Sequence, residues 1–390
     1  MRILFAQNAQ GIGGSENYLL RLLPALKERG HEVALAAVHN RRRHGSKDEV
    51  DRWLAGFQDQ AIAVHYRETN HYLDPRIPFW LRRVFRRGAA DGGSFDILHT
   101  HLIYADFWAA IIRALLDRSI PVVSTVHGYE ERIIERYALT PEKVPHNLYW
   151  WVFGTTRRFL SQTYACSEGL KQFCLQAGIP GAGDWSVVEH GFDFPTEPQP
   201  VDPTCRLADV QVAVVGRLIH RKGVHMALEA MALLRETIPS AQLVVVGGGP
   251  ELKRLEDQAE SLGLSGAAHF IGFDPAPQRW MRASDVLVVP SLAEGLPLVI
   301  FEAMHQRCPV VAFATIGCRD MIADGKTGLL ANCYDVKNLA AQIGWILTDR
   351  KLVDSFVVNA SRELKARFQE SLMVDSTQSV YQRTLLFSND

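Results

Sequence analysis

Two glutamates stand eight positions apart in the stretch SLAEGLPLVIFEAMHQRCPVV, residues 291–311. Glu294 lies in a Gly-Pro turn, whereas Glu302 follows Phe301 in a stretch that we expect to be buried. Carboxylates avoid apolar surroundings unless a polar group meets them there. We therefore expect Glu294 to accept hydrogen bonds from sugar hydroxyls, and Glu302 to accept them from the vicinal hydroxyls of a ribose. The alternative for each glutamate is a capping or salt-bridge role.

The turn between these glutamates has the pattern of a phosphate site. A predicted strand, VLVVPS, leads into AEGLP and then into a predicted helix, LVIFEAMHQR, with Pro297 as its first residue. The positive end of that helix would face an anion bound against the backbone of the turn. The positions expected to contribute are Gly295, Leu296, Pro297 and Leu298.

Two other strand ends carry residues suited to phosphate. Arg217 and Lys222 lie in GRLIHRKG, between a predicted strand and a helix, where two cations form a natural pyrophosphate site. Gly248 lies in GGGPE, where glycine lets backbone amides approach a phosphate or a base. The alternatives are solvated charges for the two cations and a simple tight turn for the glycines.

These residues belong to a repeating order of elements. Each half of the chain alternates apolar strands, Gly-rich turns and amphipathic helices, which is typical of parallel sheets covered on both faces. A stretch with four prolines, FDFPTEPQPVDPT, separates the halves. We predict a first domain at 1–191, a linker at 192–207, a second domain at 208–368, and a C-terminal helix at 369–390 that returns to the first domain. Within these domains we predict a strand at WSVVEH (185–190) and helical structure from about residue 335 to the end of the chain. Two such domains that face each other would form a ligand cleft beyond their strand ends.

Composition excludes several classes of function. A formal net charge of −1 over 390 residues argues against a general nucleic-acid binder. The six cysteines show no metal-ligand spacing, so we expect them to be reduced and structural. The start MRILFAQN is typical of a strand rather than a signal peptide, and no apolar run approaches about 20 residues. We expect a cytoplasmic protein, with contact to the inner face of the cytoplasmic membrane as a further hypothesis.

In combination these motifs resemble one known family. GR…K, GGGP, and E-x7-E headed by EGLP occur in the order found in retaining glycosyltransferases of family 4, of the bacterial cell-envelope polysaccharide type. The stretches GIGGSE (11–16), DILHTH (96–101), TVHG (125–128) and EHGFD (189–193) also match family positions, so the resemblance covers nearly the whole chain. It implies the GT-B fold: two Rossmann-like, doubly wound α/β domains with parallel sheets, which face an interdomain cleft. The N-terminal domain would hold the acceptor and the C-terminal domain the nucleotide sugar.

The resemblance also implies roles for individual residues. Glu294 would contact hydroxyls of the donor sugar, Arg217 and Lys222 would neutralise the leaving diphosphate, and His127 would lie near the reaction centre. Glu302 would bind the ribose. The other donor-binding positions implied are Gly13 and Gly14 in an N-terminal loop that closes near the phosphate, Gly248, the backbone of residues 295–298, and Ile271, Gly272 and Phe273 near the base.

Two departures from the family pattern leave parts of the site open. His190 stands where the family usually has asparagine, and we assign it no role. The stretch IGCRDMI (316–322) replaces the frequent GG-x-x-E, which leaves contacts to sugar or acceptor there undecided. The alternative for His127 is a core histidine whose ring nitrogens are hydrogen-bonded within the protein.

The reaction implied is transfer of a sugar from a nucleoside-diphosphate sugar to an acceptor hydroxyl with retention. A UDP-sugar is favoured and a GDP-sugar is the alternative. By similarity we expect front-face attack, in which a phosphate oxygen takes the acceptor proton and His127 orients hydroxyls. The nucleotide sugar is a co-substrate, and neither a cofactor nor a metal ion is expected.

Two segments predict contact with an anionic membrane. Residues 76–90, RIPFWLRRVFRRGAA, mix five arginines with large apolar residues and contain no acid. Residues 147–160, NLYWWVFGTTRRFL, combine aromatics with Arg157 and Arg158. We therefore expect the acceptor to be lipid-linked or an envelope glycan. The alternative is a solvated basic helix and a core helix.

Rival functions have less support. An oxidoreductase is disfavoured because the sequence lacks a GxGxxG motif followed by an acidic residue about 20 positions later. EGLP at the head of E-x7-E argues against a GT-B sugar-nucleotide epimerase and against a phosphorylase. The non-enzymatic alternative is a donor-binding scaffold partner in a glycosyltransferase complex.

Overall fold

A computed structural model describes residues 1–9, 13–42, 47–128, 148–195 and 197–386. The described residues divide into two compact units. The first unit contains the described residues up to Asp193 and those from Phe368 onward, and the second contains those between Phe194 and Arg367.

The first unit contains a parallel sheet of seven strands in the order β3-β2-β1-β4-β5-β6-β7. The strands are β1 (Arg2–Ala9), β2 (Glu32–Asn40), β3 (Ala63–Thr69), β4 (Ile97–His101), β5 (Val122–Val126), β6 (Gln162–Ala165) and β7 (Ser186–Val187). Its helices are α1 (Gly14–Glu28), α2 (Lys47–Gln58), α3 (Arg76–Arg87), α4 (Leu102–Ile111), α5 (Leu148–Arg157) and α6 (Glu168–Gln176), with a π-helical extension of α4 at Ile112–Leu116. β1 and β2 are buried along nearly their whole length, as expected for strands covered on both faces.

The second unit contains a parallel sheet of six strands in the order β10-β9-β8-β11-β12-β13. The strands are β8 (Val210–Val215), β9 (Ala241–Val246), β10 (Ala268–Gly272), β11 (Val286–Val289), β12 (Val310–Phe313) and β13 (Leu329–Ala331). The helices are α7 (Val224–Thr237), α8 (Leu252–Ser261), α9 (Gln278–Arg282), α10 (Leu298–His305), α11 (Ile316–Met321), α12 (Val336–Thr348) and α13 (Arg350–Arg367). The two parallel sheets confirm the predicted α/β class.

The C-terminal helix α14 (Glu370–Leu386) belongs to the first unit. Its residues Met373, Val374, Val380 and Tyr381 are buried in the same apolar cluster as the strands of that unit. The backbone near Phe192 and Gln369 also pairs in a short parallel bridge. The chain therefore completes the core of its first unit with its last described helix.

Two details differ from the sequence prediction. The stretch predicted as a strand over 185–190 is a strand only at Ser186–Val187. The single helical stretch predicted from about residue 335 is divided into three helices, α12 to α14. All six cysteines are free thiols, and five of them are buried, as predicted for structural residues.

Candidate functional site

In the second unit, four neighbouring strands end at one edge of the sheet, and each is followed by a predicted site residue. In the order β10, β9, β8 and β11, these are Phe273, Gly248, Lys222 and Glu294. Because all four strands are parallel, their carboxyl ends lie at the same edge. The sheet order therefore brings together residues that are up to 72 positions apart in the chain.

Glu294 is paired with two cations. Lys222 Nζ donates to Glu294 Oε1 at 2.6 Å, and Arg221 Nη1 lies 3.6 Å from Oε2. The Glu294 side chain is only 7% exposed. Burial alone would raise its pKa, but the charges of Lys222 and Arg221 outweigh burial, so the pKa is lowered from the ordinary glutamate value. Glu294 is therefore held as a carboxylate.

Arg221 was missed by the sequence analysis, which selected Arg217 and Lys222. Arg221 Nη1 also donates to the backbone oxygen of Ala293 at 3.1 Å, and Leu292 N donates to Arg221 O at 2.8 Å. Arg221 thus ties the loop after β8 to the loop after β11. Arg217 is exposed at the end of β8, four residues before Arg221.

The loop after β8 reaches Glu294 because a glycine ends it. Gly223 has φ +66°, and a Cβ there would lie 1.8 Å from the oxygen of Pro290. Only glycine permits both this left-handed backbone and the close approach to the end of β11. The short 3₁₀ turn His220–Lys222 precedes it and presents Lys222 next to Glu294.

The turn after Glu294 is held from the side of α11. Gly317 N donates to the backbone oxygen of Glu294 at 3.1 Å. A Cβ on Gly317 would lie 2.5 Å from the oxygen of Gly295, so this close packing requires glycine. The segment IGCRDMI, whose role the sequence left undecided, therefore supports the backbone between Glu294 and α10.

Two predictions about α10 need correction. The helix begins at Leu298, and Pro297 is its N-cap with extended backbone rather than its first helical residue. Glu302 is half-buried rather than buried, although Phe301 and Ala303 on either side of it are fully buried. The physical reason is helical periodicity, since neighbouring residues point 100° apart and Glu302 falls at the border of the apolar face.

The position predicted for the base carries an exposed aromatic ring. Phe273 follows β10 and is 76% exposed, whereas large aromatic side chains are ordinarily buried. A Cβ on Gly248 would lie 4.0 Å from the Cβ of Phe273, so the two positions are neighbours. Ile271 packs partly against a small apolar cluster, and Gly272 has φ +80° at the end of the strand.

In the first unit, His127 follows β5 and belongs to a cluster of histidines. Its Nε2 lies 2.8 Å from His101 Nδ1, and its ring lies 5.0 Å from that of Tyr18 and 5.6 Å from that of His190. Its Nδ1 is buried and has no hydrogen-bond partner among the described residues. Burial lowers the pKa of His127 to about 3, so the ring is neutral near pH 7.

His190 and His101 were not assigned roles from the sequence. His190 is buried against Tyr18, with 4.5 Å between ring centroids, and its two ring nitrogens lack hydrogen-bond partners within the described residues. His101 is the last residue of β4, two positions after His99, which places both side chains on one face of the strand. This period-two pattern in DILHTH was the available signal for a histidine cluster.

The turn that carries His101 is strained. Leu102, the first residue of α4, has φ +69°. A residue with a Cβ in this left-handed region costs roughly 1–2 kcal/mol. Strain of this kind persists where the surrounding structure fixes it, and it occurs preferentially at functional sites.

Gly13 and Gly14 lie at the start of α1, with Gly13 as its N-cap. The stretch 10–12 before them lies outside the described residues. A Cβ on Gly14 would meet nothing within 4 Å. Glu16, in the first turn of α1, is buried and accepts hydrogen bonds from Gln7 Nε2 and Ser15 Oγ, both at 2.9 Å.

The two segments expected at a membrane behave differently from the prediction. Arg157 is not a surface cation, because it forms a buried ion pair with Asp106 at 2.6 Å, with side chains 3% and 1% exposed. In α3 the residues Ile77, Leu81, Val84 and Phe85 pack into the core of the first unit. Arg82 and Arg86 pair with Asp117 at 3.3 and 2.7 Å. Asn147 lies outside the described residues.

An exposed remainder of these segments is both apolar and basic. It consists of Phe79, Arg83 and Arg87 on α3 and Leu148, Trp151 and Arg158 in and after α5. Across the described residues, no helix is long and apolar enough to cross a membrane.

Two family models match the chain and together span most of it. The model for glycosyl transferases group 1 matches residues 204–363, and the model for glycosyltransferase family 4 matches residues 12–194. The first match covers the loops of Lys222 and Glu294, and the second covers His127.

Curated proteins and solved structures agree with these models. The glycogen synthase of Mycobacterium tuberculosis is 25% identical over 383 residues, which is 95% of this chain and 91% of that protein. LpsE of Rhizobium meliloti, a lipopolysaccharide core biosynthesis glycosyltransferase, is 32% identical over 43% of this chain and 49% of its own length. The crystal structure of Anabaena HepE in complex with UDP-glucose superposes with a TM-score of 0.79 at 22% identity, covering 98% of this chain and all of that one.

Proposed function

Since this chain belongs to the group 1 and family 4 glycosyltransferases, which have the GT-B fold and transfer sugars from nucleotide sugars, we propose that its donor is a UDP-sugar and its acceptor a lipid-linked or envelope glycan. The observation that carries the proposal is the buried carboxylate of Glu294, held by Lys222 and Arg221 at the mouth of the turn before α10. The UDP-glucose in the Anabaena structure of the same fold supports UDP over GDP.

The strand ends of the second unit fit the parts of such a donor in order. Phe273 offers an exposed ring on which a base can stack, and Gly248 beside it leaves room for the base. The half-buried Glu302 would accept hydrogen bonds from the ribose hydroxyls. Lys222, Arg221, Arg217 and the N-terminus of α10 would stabilise the diphosphate.

Glu294 would then orient the donor sugar. A carboxylate already charged and held by two cations accepts hydrogen bonds from sugar hydroxyls without a change of protonation. When the diphosphate leaves, negative charge grows on its oxygens, and the cations that surround Glu294 are at hand to stabilise it. In front-face attack a phosphate oxygen takes the proton of the acceptor hydroxyl, and the sugar keeps its anomeric configuration.

His127 would hold hydroxyl groups rather than act as a nucleophile. Its ring is neutral, and the buried Nδ1 has no hydrogen-bond partner among the described residues. A neutral imidazole can donate or accept one hydrogen bond there. Gly13 and Gly14, at the N-terminus of α1, would contribute to binding the donor phosphate, as the family resemblance implies.

The acceptor proposal is supported by the exposed apolar and basic remainder of α3 and α5. Basic residues beside exposed aromatics are typical of surfaces that bind anionic lipid. LpsE, a relative that acts in lipopolysaccharide core biosynthesis, is consistent with an acceptor at the membrane.

Vesicle binding tests this surface. Arg83→Gln with Arg87→Gln should reduce co-flotation with vesicles that contain about 30% phosphatidylserine, since each cation near such a surface contributes about 1 kcal/mol. The pair Arg350→Gln with Lys351→Gln removes the same charge from the second unit and should leave flotation unchanged. Equal flotation of both pairs would refute the membrane proposal.

Sugar transfer tests the reaction itself. The purified chain is incubated with UDP- and GDP-sugars labelled in the sugar and with a lipid extract of the producing cells. We expect label to move from one UDP-sugar into lipid-linked product with the anomeric configuration of the donor. Glu294→Gln should lower the rate roughly 100-fold or more, and the exposed Glu260→Gln should not. An inverted product would contradict the proposal, and UDP binding without transfer from any donor would favour a non-catalytic scaffold.

A further inference from the structure

The histidine pair of the first unit constrains which protons its rings can carry. His101 Nδ1 and His127 Nε2 lie 2.8 Å apart, which is a hydrogen-bond distance. Burial lowers the pKa of both rings, so both are neutral at pH 7. One hydrogen bond between two neutral imidazoles needs one N–H and one lone pair. The tautomer of His127 is therefore locked to that of His101.

The remaining ring nitrogens decide between the two possible arrangements. His101 Nε2 and His127 Nδ1 are both buried and lack hydrogen-bond partners among the described residues. If His127 donates, its own Nδ1 is a lone pair and the unpaired N–H falls on His101 Nε2. If His101 donates, His101 Nε2 is a lone pair and the unpaired N–H falls on His127 Nδ1.

The surroundings favour donation by His101. His101 is fully buried, with its ring against Phe5, Tyr18 and His99. An N–H left without an acceptor in such surroundings is costly. His127 lies beyond the end of β5 and is half-buried as a residue, whereas His101 lies within β4 and is completely buried. In the proposed function it is His127 that meets the substrate, so an N–H at its Nδ1, buried in the unliganded chain, gains a substrate oxygen as its acceptor.

We infer that His101 is a positioning residue that donates its Nδ1–H to His127 Nε2 and so fixes His127 as the Nδ1–H tautomer. This inference rests on the proposed function, in which His127 meets the substrate. His127 then presents a hydrogen-bond donor, and the oxygen it meets on the sugar or acceptor is a hydrogen-bond acceptor. His127 consequently does not act as the base that removes the acceptor proton.

The backbone holds His101 in this role. In the parallel register His101 is paired with Gln7 of β1 and Thr125 of β5, so its position is fixed from both sides. The strained Leu102 turns the chain directly after it. A ring fixed at its Cα in this way has little freedom to move off the nitrogen of His127.

Two substitutions distinguish positioning from packing. In His101→Asn the side-chain amide lies near the former position of Nδ1 and can still donate to His127. In His101→Gln the amide lies near the former position of Nε2 and cannot. His99→Gln is the matched control, because His99 is buried in the same cluster but bonds Thr125 and Tyr381 instead of His127.

The experiment combines nitrogen NMR of ¹⁵N-histidine-labelled protein with transfer kinetics. In the native chain, at pH 7, we expect His127 to show a protonated Nδ1 and an unprotonated Nε2. His101→Gln should lose this tautomer and lower kcat about 10- to 100-fold, with the KM for the donor and the UDP-induced thermal shift unchanged. His101→Asn should retain the tautomer and most of kcat, and His99→Gln should leave the tautomer intact.

Two results would overturn the inference: a protonated Nε2 on His127 of the native chain, or a loss of kcat in His101→Gln no greater than in His99→Gln. If His101→Gln does not fold, the tautomer of the native chain still decides. If the native chain transfers no sugar, the proposed function fails, and the NMR measurement continues to test the inference separately.

Discussion

At the scale of single residues, Lys222 and Glu294 share one charge-assisted hydrogen bond, on which the proposed donor site depends. The Glu294 side chain is buried, and its carboxylate is stable there because it is paired with Lys222 and Arg221. Removing Lys222 leaves only Arg221 beside Glu294, and the 3.6 Å between Arg221 Nη1 and Glu294 Oε2 is too long for a direct hydrogen bond. The same pair therefore contributes to the stability of the second unit and to the proposed donor site.

Replacing Lys222 by methionine should reverse the sign of the pH dependence that Glu294 contributes to the free energy of unfolding. The folded-state pKa of Glu294 is lowered, so its contribution to stability is present above the ordinary glutamate pKa of about 4.3 and is lost as the pH falls through the lowered value. In Lys222→Met burial is opposed only by Arg221, so we expect the pKa of Glu294 to rise. Urea unfolding at pH 7 should show a loss of about 1–3 kcal/mol that shrinks at pH 4.

The exposed Lys253 offers the matched control, since it pairs with Asp257 on the surface of α8. Lys253→Met should leave the unfolding free energy nearly unchanged at both pH values. If Lys222→Met behaved like Lys253→Met, the pairing of Lys222 with Glu294 would not contribute to stability.

At the scale of elements, the position of the turn between Glu294 and α10 depends on how closely α11 packs against it. Gly317→Ala would place a Cβ 2.5 Å from the oxygen of Gly295, so the turn between Glu294 and α10 would have to move. We expect UDP to bind about 10-fold more weakly or worse, because the helix N-terminus and Glu294 would no longer face the ligand together. Calorimetric titration with UDP measures the effect.

Gly344→Ala is the control for that substitution. Gly344 lies within α12, and a Cβ there would meet Leu234 at an ordinary 3.6 Å. The change should leave UDP affinity unchanged and stabilise the helix by about 0.5–1 kcal/mol. Equal UDP affinity in Gly317→Ala and Gly344→Ala would contradict the role given to α11.

Most elements were predictable because apolar strands between Gly-rich turns leave an unambiguous pattern in the sequence. The length of β7 was overestimated, since Val188 is buried in the core beyond the last strand residue and bonds to β6 only through its N–H, which donates to Ala165 O. The boundary between α12 and α13 was not predicted within the C-terminal helical stretch, because it depends on a local cap: the side chain of Asp349 accepts a hydrogen bond from Leu352 N at the break. Periodicity indicates a buried face but not its partner.

The site was predictable to the level of strand ends and not to the level of contacts. Glu294 and Lys222 were both selected, but their direct pairing depends on β8 and β11 being neighbours in the sheet. Arg221 lies one residue from Lys222, and only the 3₁₀ turn decides that it, too, reaches Glu294. His101 was passed over because strand pairing places it beside His127, 26 positions later.

At the scale of the whole molecule, buried histidines make the first unit sensitive to acid. Burial lowers the pKa of His99, His101, His127 and His190. The unfolded chain binds protons on these rings below about pH 6.5 and the folded chain does not, so stability is present above that pH and lost as the pH falls. Each ring that stays neutral in the folded chain adds to this loss as the pH falls below about 6.5.

His190→Asn tests this dependence, since it removes one ring from the cluster. Urea unfolding at pH 7, 6 and 5 should show a smaller loss of stability with falling pH than in the native chain, because the unfolded variant binds one proton fewer. The exposed His71→Asn serves as the control and should keep the native slope. Identical slopes in His190→Asn and the native chain would show that His190 is protonated in the folded state.

The measurement that tests the central claim most directly is nucleotide binding by the intact chain. Thermal unfolding is followed with saturating UDP, GDP, ADP and CMP, in the native chain, in Glu302→Ala and in the control Glu260→Ala. We predict a rise in melting temperature with UDP, retained in Glu260→Ala and lost in Glu302→Ala, because a ligand bound only by the folded state stabilises it. A rise with none of the four nucleotides, or an equal rise with UDP in Glu302→Ala, would contradict the donor site assigned to the second unit.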